Sequence, residues 1–234
     1  MDLGDRMKEY ERVYKTALMK KTPAIIRLDG KAFHTWTRGL DRPFDKRFYA
    51  AMAQTASLLV NEIQGAVFAF GQSDEISILL KDYATFDTDA WFGGAVNKIN
   101  SVSASMATGY FNRYAQHLGI SDGEKLAFFD ARVFTLPPHE VVNYFIWRQQ
   151  DCTRNSIQST GQEHLGHKTC EGLKNQEVIE ALLKLDPPVD WNRDLPPIFR
   201  YGYGYGRGDE EVTVNLPVFS ECRDFIEIHL QNDL

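Results

Sequence analysis

Through its first 134 residues the chain alternates short β-rich apolar runs with stretches of helical period. The order is strand, helix, strand, strand, helix, strand. Residues 22–28 form the first run, which stops abruptly at Asp29-Gly30. Residues 45–63 place Phe48, Met52, Ala56, Leu59, Val60 and Ile63 at helical spacing, and Gly65 ends the helix. Apolar runs at 66–70 and 76–80 flank Gly71-Gln72-Ser73-Asp74, which reads as a hairpin turn with an acidic tip. A long helix is predicted over 88–117 and a fourth strand over 126–134. This order specifies a split βαβ arrangement, an α+β fold in which an antiparallel sheet carries two helices on one face. The first strand and the hairpin are adjacent and central there. Asp29 and Asp74 are therefore predicted neighbours, although far apart in sequence.

The remainder is less regular. A charged helix is expected over 5–20. After Pro137-Pro138 the pattern predicts helices over 140–151 and 175–185, separated by a polar, Gly-containing stretch at 153–174. Alternating Gly and Tyr over 201–208 reads as a flexible turn, and 212–214 as a short strand. The expectation is a catalytic region at 1–136 and a smaller, mostly helical C-terminal lobe at 137–234 that does not fold independently.

Composition narrows the class. No apolar run approaches the roughly 20 residues of a membrane helix, and residues 1–14 are charged without a signal-peptide core, so no membrane association and a cytoplasmic address are expected. Cys152, Cys170 and Cys222 form no close pair, which favours reduced thiols over a disulfide framework or zinc site. The net charge of −6 argues against indiscriminate nucleic-acid coating. Residues 1–48 nevertheless carry 12 Lys and Arg against 7 Asp and Glu. That basic stretch is either a phosphate-gripping surface or a solvated helix face.

The chemistry-bearing candidates cluster at the strand ends. Mg²⁺ takes oxygen ligands and keeps waters and substrate phosphates in its shell, so Asp29, Asp74 and one backbone carbonyl would suffice for a pair of ions. Either aspartate alone reads equally well as a turn residue; both at adjacent strand ends favour metal. Gly30 leaves its carbonyl open, and Lys31, Ala32, Phe33 and His34 follow as a plausible phosphate cradle, with the core as the default place for the Phe33 ring. Arg42 and Lys46 flank Asp45 before a helix, as phosphate contacts or surface cations. Lys98 and Ser101 lie a turn apart on the long helix. Arg148, in Trp147-Arg148-Gln149-Gln150-Asp151, suits phosphate recognition or a buried Arg–Asp pair equally.

Four blocks together identify a resemblance: Arg27 to His34, Phe70 to Glu75, Lys98 with Ser101, and Trp147 to Cys152 leading to Asn155. In order and spacing the chain resembles the tRNA-His guanylyltransferase family, and within it the bacterial and phage-type "like" branch of 3′-to-5′ polymerases. The resemblance implies a polymerase-palm sheet and a two-Mg²⁺ site held by Asp29, Asp74 and the Gly30 carbonyl, with Glu75 in support. It implies nucleotide binding by residues 30–34 with Ser73, Arg42, Asp45 and Lys98, and tRNA contacts at Arg148 and Asn155. ATP, GTP and other NTPs would be the substrates, tRNA the partner and a homotetramer the assembly. Eukaryotic members carry a His where this chain has Thr153, and an Arg pair near Gly94-Ala95. These departures point to template-directed repair of 5′-truncated tRNAs over untemplated addition of one G. A palm-type nucleotide cyclase and a non-catalytic tRNA-binding protein are the alternatives.

Overall fold

A computed structural model describes residues 1–85 and 87–231. Its elements run α1 (Leu3–Arg12), β1 (Ala24–Gly30), α2 (Phe33–Trp36), α3 (Lys46–Glu62), β2 (Ala66–Gln72), β3 (Glu75–Leu80), α4 (Val96–His117), β4 (Phe129–Thr135) and α5 (Pro138–Leu165). The chain continues through α6 (His167–Cys170), α7 (Asn175–Leu183), α8 (Trp191–Asp194), α9 (Pro197–Tyr201), β5 (Tyr203–Gly206) and α10 (Asp224–Glu227).

The five strands form one antiparallel sheet in the order β4-β1-β3-β2-β5. The central pair is β1 and β3, as the element order predicted. Side chains alternate across β1. Ala24, Ile26 and Leu28 join the core beneath α3 and α4, while Ile25 and Arg27 face α5. The strand β3 is buried along its whole length.

The second face is also closed, where the sequence predicted helices on one face only. Ile25, Phe68, Phe70 and Leu79 pack there against Val141, Val142 and Phe145 of α5 and against Phe219 and Ile226. Three other expectations are corrected. The helix predicted from residue 88 begins at Val96, because Phe92, Gly93 and Gly94 take φ of 51°, 61° and 78°, which an α-helix does not accommodate. The helix predicted to end at Asp151 continues to Leu165. Its polar continuation encloses Gly161, which packs against Val178 and Cys170. Finally, the Gly-Tyr stretch is a buried edge strand, β5, instead of a flexible turn, and residues 212–214 contribute a single bridge, Thr213 to Gly204. No helix among the described residues is long and apolar enough to cross a membrane.

Candidate active site

The site begins at the end of β1. Asp29 pairs in register with Glu75 of β3, and the Gly30 N–H donates to the Asp74 carbonyl at 3.1 Å. The hairpin between β2 and β3 is tighter than predicted. Gly71 and Gln72 belong to β2, so the loop is Ser73-Asp74 alone. Ser73 takes φ of 46°, as a two-residue hairpin loop demands. Asp29 and Asp74 thus both line one cleft of about 830 Å³. His34, Thr37, Arg42 and Asp45 line one wall, and Arg148, Asp151, Asn155, Ser159 and Gln162 of α5 line the other.

The three acidic groups differ in their surroundings. Glu75 is buried and fully compensated. Arg148 donates to its two oxygens at 2.7 and 3.0 Å, and Arg27 donates at 2.9 and 2.8 Å. Burial pushes the Glu75 carboxyl up against the pull of Arg148 and Arg27. Asp29 and Asp74 have no cation partner among the described residues. Burial, with the charges of Asp29 and Glu75 nearby, pushes the Asp74 carboxyl up to about 6. A crowded acidic pair without a cation is the donor set that a hard divalent ion fits. No three His, Cys, Asp or Glu side chains among the described residues form a preformed cage. That is compatible with Mg²⁺, which uses few protein ligands and completes its shell with water and phosphate.

The other predicted residues divide. His34, Arg42, Asp45, Ser73 and Asn155 reach the cleft. Asp45 is committed structurally: its carboxylate caps α3 through the N–H groups of Arg47 and Phe48 and binds the Arg47 guanidinium at 2.6 Å. Phe33 is buried among Phe129, Phe111 and Trp36, with ring centroids 5.1, 5.3 and 5.5 Å away, so its ring serves the core and not a base. Gly30 answers to that ring, since a Cβ there would lie 2.3 Å from Phe33. The cradle predicted over 30–34 is partly spent, because the Lys31 N–H donates to the Phe128 carbonyl at 2.8 Å. Lys31 and Ala32 lie outside the cleft lining. So does Lys98, whose ammonium stands 4.5 Å over the Phe92 ring. Arg148 is buried between Glu75 and Asp151 (2.7 Å). Of its two readings the structure shows the internal pair, and Arg148 also lines the cleft.

Arg27, Ser159 and Gln162 line the cleft although the sequence assigned them no role. Arg27 is two positions from Asp29 and hence on the same sheet face. Asn155, Ser159 and Gln162 extend the face of Arg148 and Asp151 at helical spacing, a signal visible only once the helix is carried past Asp151.

Residues 4–137 match the family model described as tRNAHis guanylyltransferase. Over 224 residues the chain is 30% identical to an uncharacterised protein of Acanthamoeba polyphaga mimivirus, across 86% of this chain and 75% of that one. It is 29% identical over 157 residues to the tRNA(His) guanylyltransferase of Schizosaccharomyces pombe, across 66% of this chain and 58% of that enzyme. The chain thus spans little more than half the length of that enzyme. Among solved structures, a bacterial tRNA(His) guanylyltransferase-like protein in complex with ATP superposes with a TM-score of 0.92 at 39% identity, covering 97% of this chain and 99% of that one. A bacterial guanylyltransferase-like protein in complex with GTP gives 0.81 at 36%, covering 97% and 98%.

Proposed function

Because the chain belongs to the tRNAHis guanylyltransferase family, we propose that it is a nucleotidyltransferase that adds nucleotides to the 5′ end of tRNA in the 3′-to-5′ direction. The observation that carries this reading is the pairing of Asp29 and Asp74, uncompensated, in the lining of a cleft of nucleotide dimensions. The relatives solved with ATP and GTP support these two nucleotides as substrates, and use of other NTPs is part of the same proposal.

In this reading Asp29, Asp74 and the Gly30 carbonyl hold two Mg²⁺ ions, which when bound supply charge neutralisation at the reacting phosphate. Glu75 does not ligate; pinned by Arg27 and Arg148, it fixes the strand ends that carry the aspartates. Arg42 and His34 on the near wall contact phosphate oxygens of the nucleotide or of the RNA end. The RNA 5′-monophosphate first attacks the α-phosphorus of ATP, releasing pyrophosphate, and the 3′-hydroxyl of the incoming NTP then attacks the activated 5′-phosphate and displaces AMP. Asn155, exposed on the far wall, faces the RNA.

Thr153 supports templated repair over untemplated G addition. Its hydroxyl donates to the Arg200 carbonyl of α9 at 3.1 Å. Base pairing with the opposite tRNA strand then selects the nucleotide, and the protein reads RNA shape and backbone. A homotetramer is part of the same proposal, and light scattering checks it.

The decisive assay incubates the protein with a tRNA lacking its first nucleotide, Mg²⁺, ATP and each NTP. Extension by the nucleotide complementary to the opposite strand is expected, and EDTA abolishes it. Asp29→Asn and Asp74→Asn are expected to lose it by on the order of 10³-fold or more while melting at or above the wild-type temperature. A cyclic product from NTP alone, or RNA binding without extension, would overturn the assignment.

A further inference from the structure

The edge strand β5 takes no part in the chemistry above, yet it grips the hairpin that carries Asp74. Tyr203 is fully buried, and its ring lies on the backbone of Gly71 in β2. A Cβ at Gly71 would meet Tyr203 Cζ at 2.0 Å and its hydroxyl oxygen at 2.2 Å. Real Cβ atoms do not approach that closely. From the other side Gly202, at φ of 82°, lets the chain pass close to the Gly71 carbonyl; a Cβ there would stand 2.6 Å from that oxygen. Gly71 is therefore clamped, with only Gln72 and Ser73 between it and Asp74. Tyr49 of α3 closes the arrangement below, buried and lining the same cleft as Ser73 and Asp74. The Tyr203 hydroxyl has no hydrogen-bond partner among the described residues. A buried hydroxyl left unsatisfied is destabilising, so the residue's worth to the protein lies in its ring.

We propose that Tyr203 is a positioning residue for the metal site: its ring, seated on Gly71, sets the height of the β2–β3 hairpin and thereby holds Asp74 within reach of the ions it shares with Asp29. This rests on the metal-dependent reading above. It gives the Gly-Tyr segment a task in the active site, which that reading did not assign.

The test uses the full chain in four forms: wild type, Gly71→Ala, Tyr203→Leu and Tyr203→Phe. Mn²⁺ titration in the presence of ATP, followed by electron paramagnetic resonance, reads the site without chemistry, and steady-state extension is measured alongside. Gly71→Ala, whose methyl strikes the ring, is expected to weaken Mn²⁺ binding by about tenfold or more and to lower kcat with little change in the KM for nucleotide. Tyr203→Leu, which takes the ring off Gly71, is expected to show the same pair of losses. Tyr203→Phe keeps the ring and is expected to bind Mn²⁺ like wild type and to be no less stable. Wild-type Mn²⁺ affinity in a folded Gly71→Ala or a folded Tyr203→Leu, or loss of Mn²⁺ by a folded Tyr203→Phe, would each overturn the proposal. If Gly71→Ala does not fold, Tyr203→Leu and Tyr203→Phe decide by the same criterion. Wild type that binds no Mn²⁺ overturns the metal assignment itself, a separate result that takes this proposal with it.

Discussion

Arg148 and Asp45 are the two side chains whose burial and bonding permit a quantitative expectation. Arg148 is 4% exposed and spans Glu75 and Asp151 through a planar fork. Removing it leaves two buried or half-buried carboxylates with less cation than they need, and breaking a buried pair in this way costs about 3–5 kcal/mol. Arg148→Met is expected to show that loss in urea unfolding, and Arg148→Lys to recover only part of it, since an ammonium lacks the fork. Equal stability of the Met variant would show that Arg27 suffices for Glu75. Asp45 gives a pH dependence. Burial raises its carboxyl, but bonds from the Arg47 guanidinium and from the N–H groups of Asp41, Arg47 and Phe48 outweigh burial and hold it at about 2, below the ordinary 3.8. The folded state therefore binds this proton less readily than the unfolded one. Its contribution is complete above about pH 4 and disappears as pH falls toward 2. Two units correspond to roughly 2–3 kcal/mol. Asp45→Asn is expected to lose about that much at pH 7 and much less at pH 2, as measured by the two proteins' urea midpoints.

Among the elements, α5 does the most to shape the site. Its 28 residues span about 42 Å at 1.5 Å per residue. Its first half lies on the sheet, and its second half supplies the far wall of the cleft while packing on α7. The contact that allows this is at Gly161, where a Cβ would meet Val178 Cγ1 at 2.5 Å and Cys170 Sγ at 3.0 Å. Alanine normally improves a helix interior over glycine by about 1 kcal/mol. Here Val178 is β-branched and cannot swing aside, so overpacking of about 1–3 kcal/mol outweighs the gain. Gly161→Ala is expected to melt below wild type; a higher melting temperature would mean that α7 shifts freely. The glycines of β5 act similarly on a smaller scale. A Cβ at Gly204 would lie 3.1 Å from Phe68 and 3.0 Å from Leu216, so small residues there let the strand settle against the core. The intervening Tyr205 hydroxyl is held by the Asn61 side chain and the Asp209 carbonyl.

At the scale of the molecule, the sheet is closed from both sides by different parts of the chain. Residues 4–137 carry the family match, but they leave Ile25, Phe68, Phe70 and Leu79 without the cover that α5 and the C-terminal segment provide. They also leave β2 as an unpaired edge, because β5 comes from residues 203–206. Such an edge and apolar face invite association. We therefore expect residues 1–136 expressed alone to bind a hydrophobic dye and to give a collapsed amide spectrum. A well-dispersed spectrum would show instead that 1–136 is an independent domain.

The sequence by itself determined the order of β1 to β4 with α3 and α4, the adjacency of β1 and β3, and so the meeting of Asp29 with Asp74. Those features follow from periodic burial and from turn residues, which are written in neighbouring positions. Tertiary structure alone decided that β5 is a strand, that α5 runs on past Asp151, that Arg148 turns inward to Glu75, and that Gly30 makes way for Phe33. Each of these depends on which distant surface a residue meets. A polar helix face or a Gly-Tyr alternation has no burial pattern of its own until the partner that covers it, from another part of the chain, is in place.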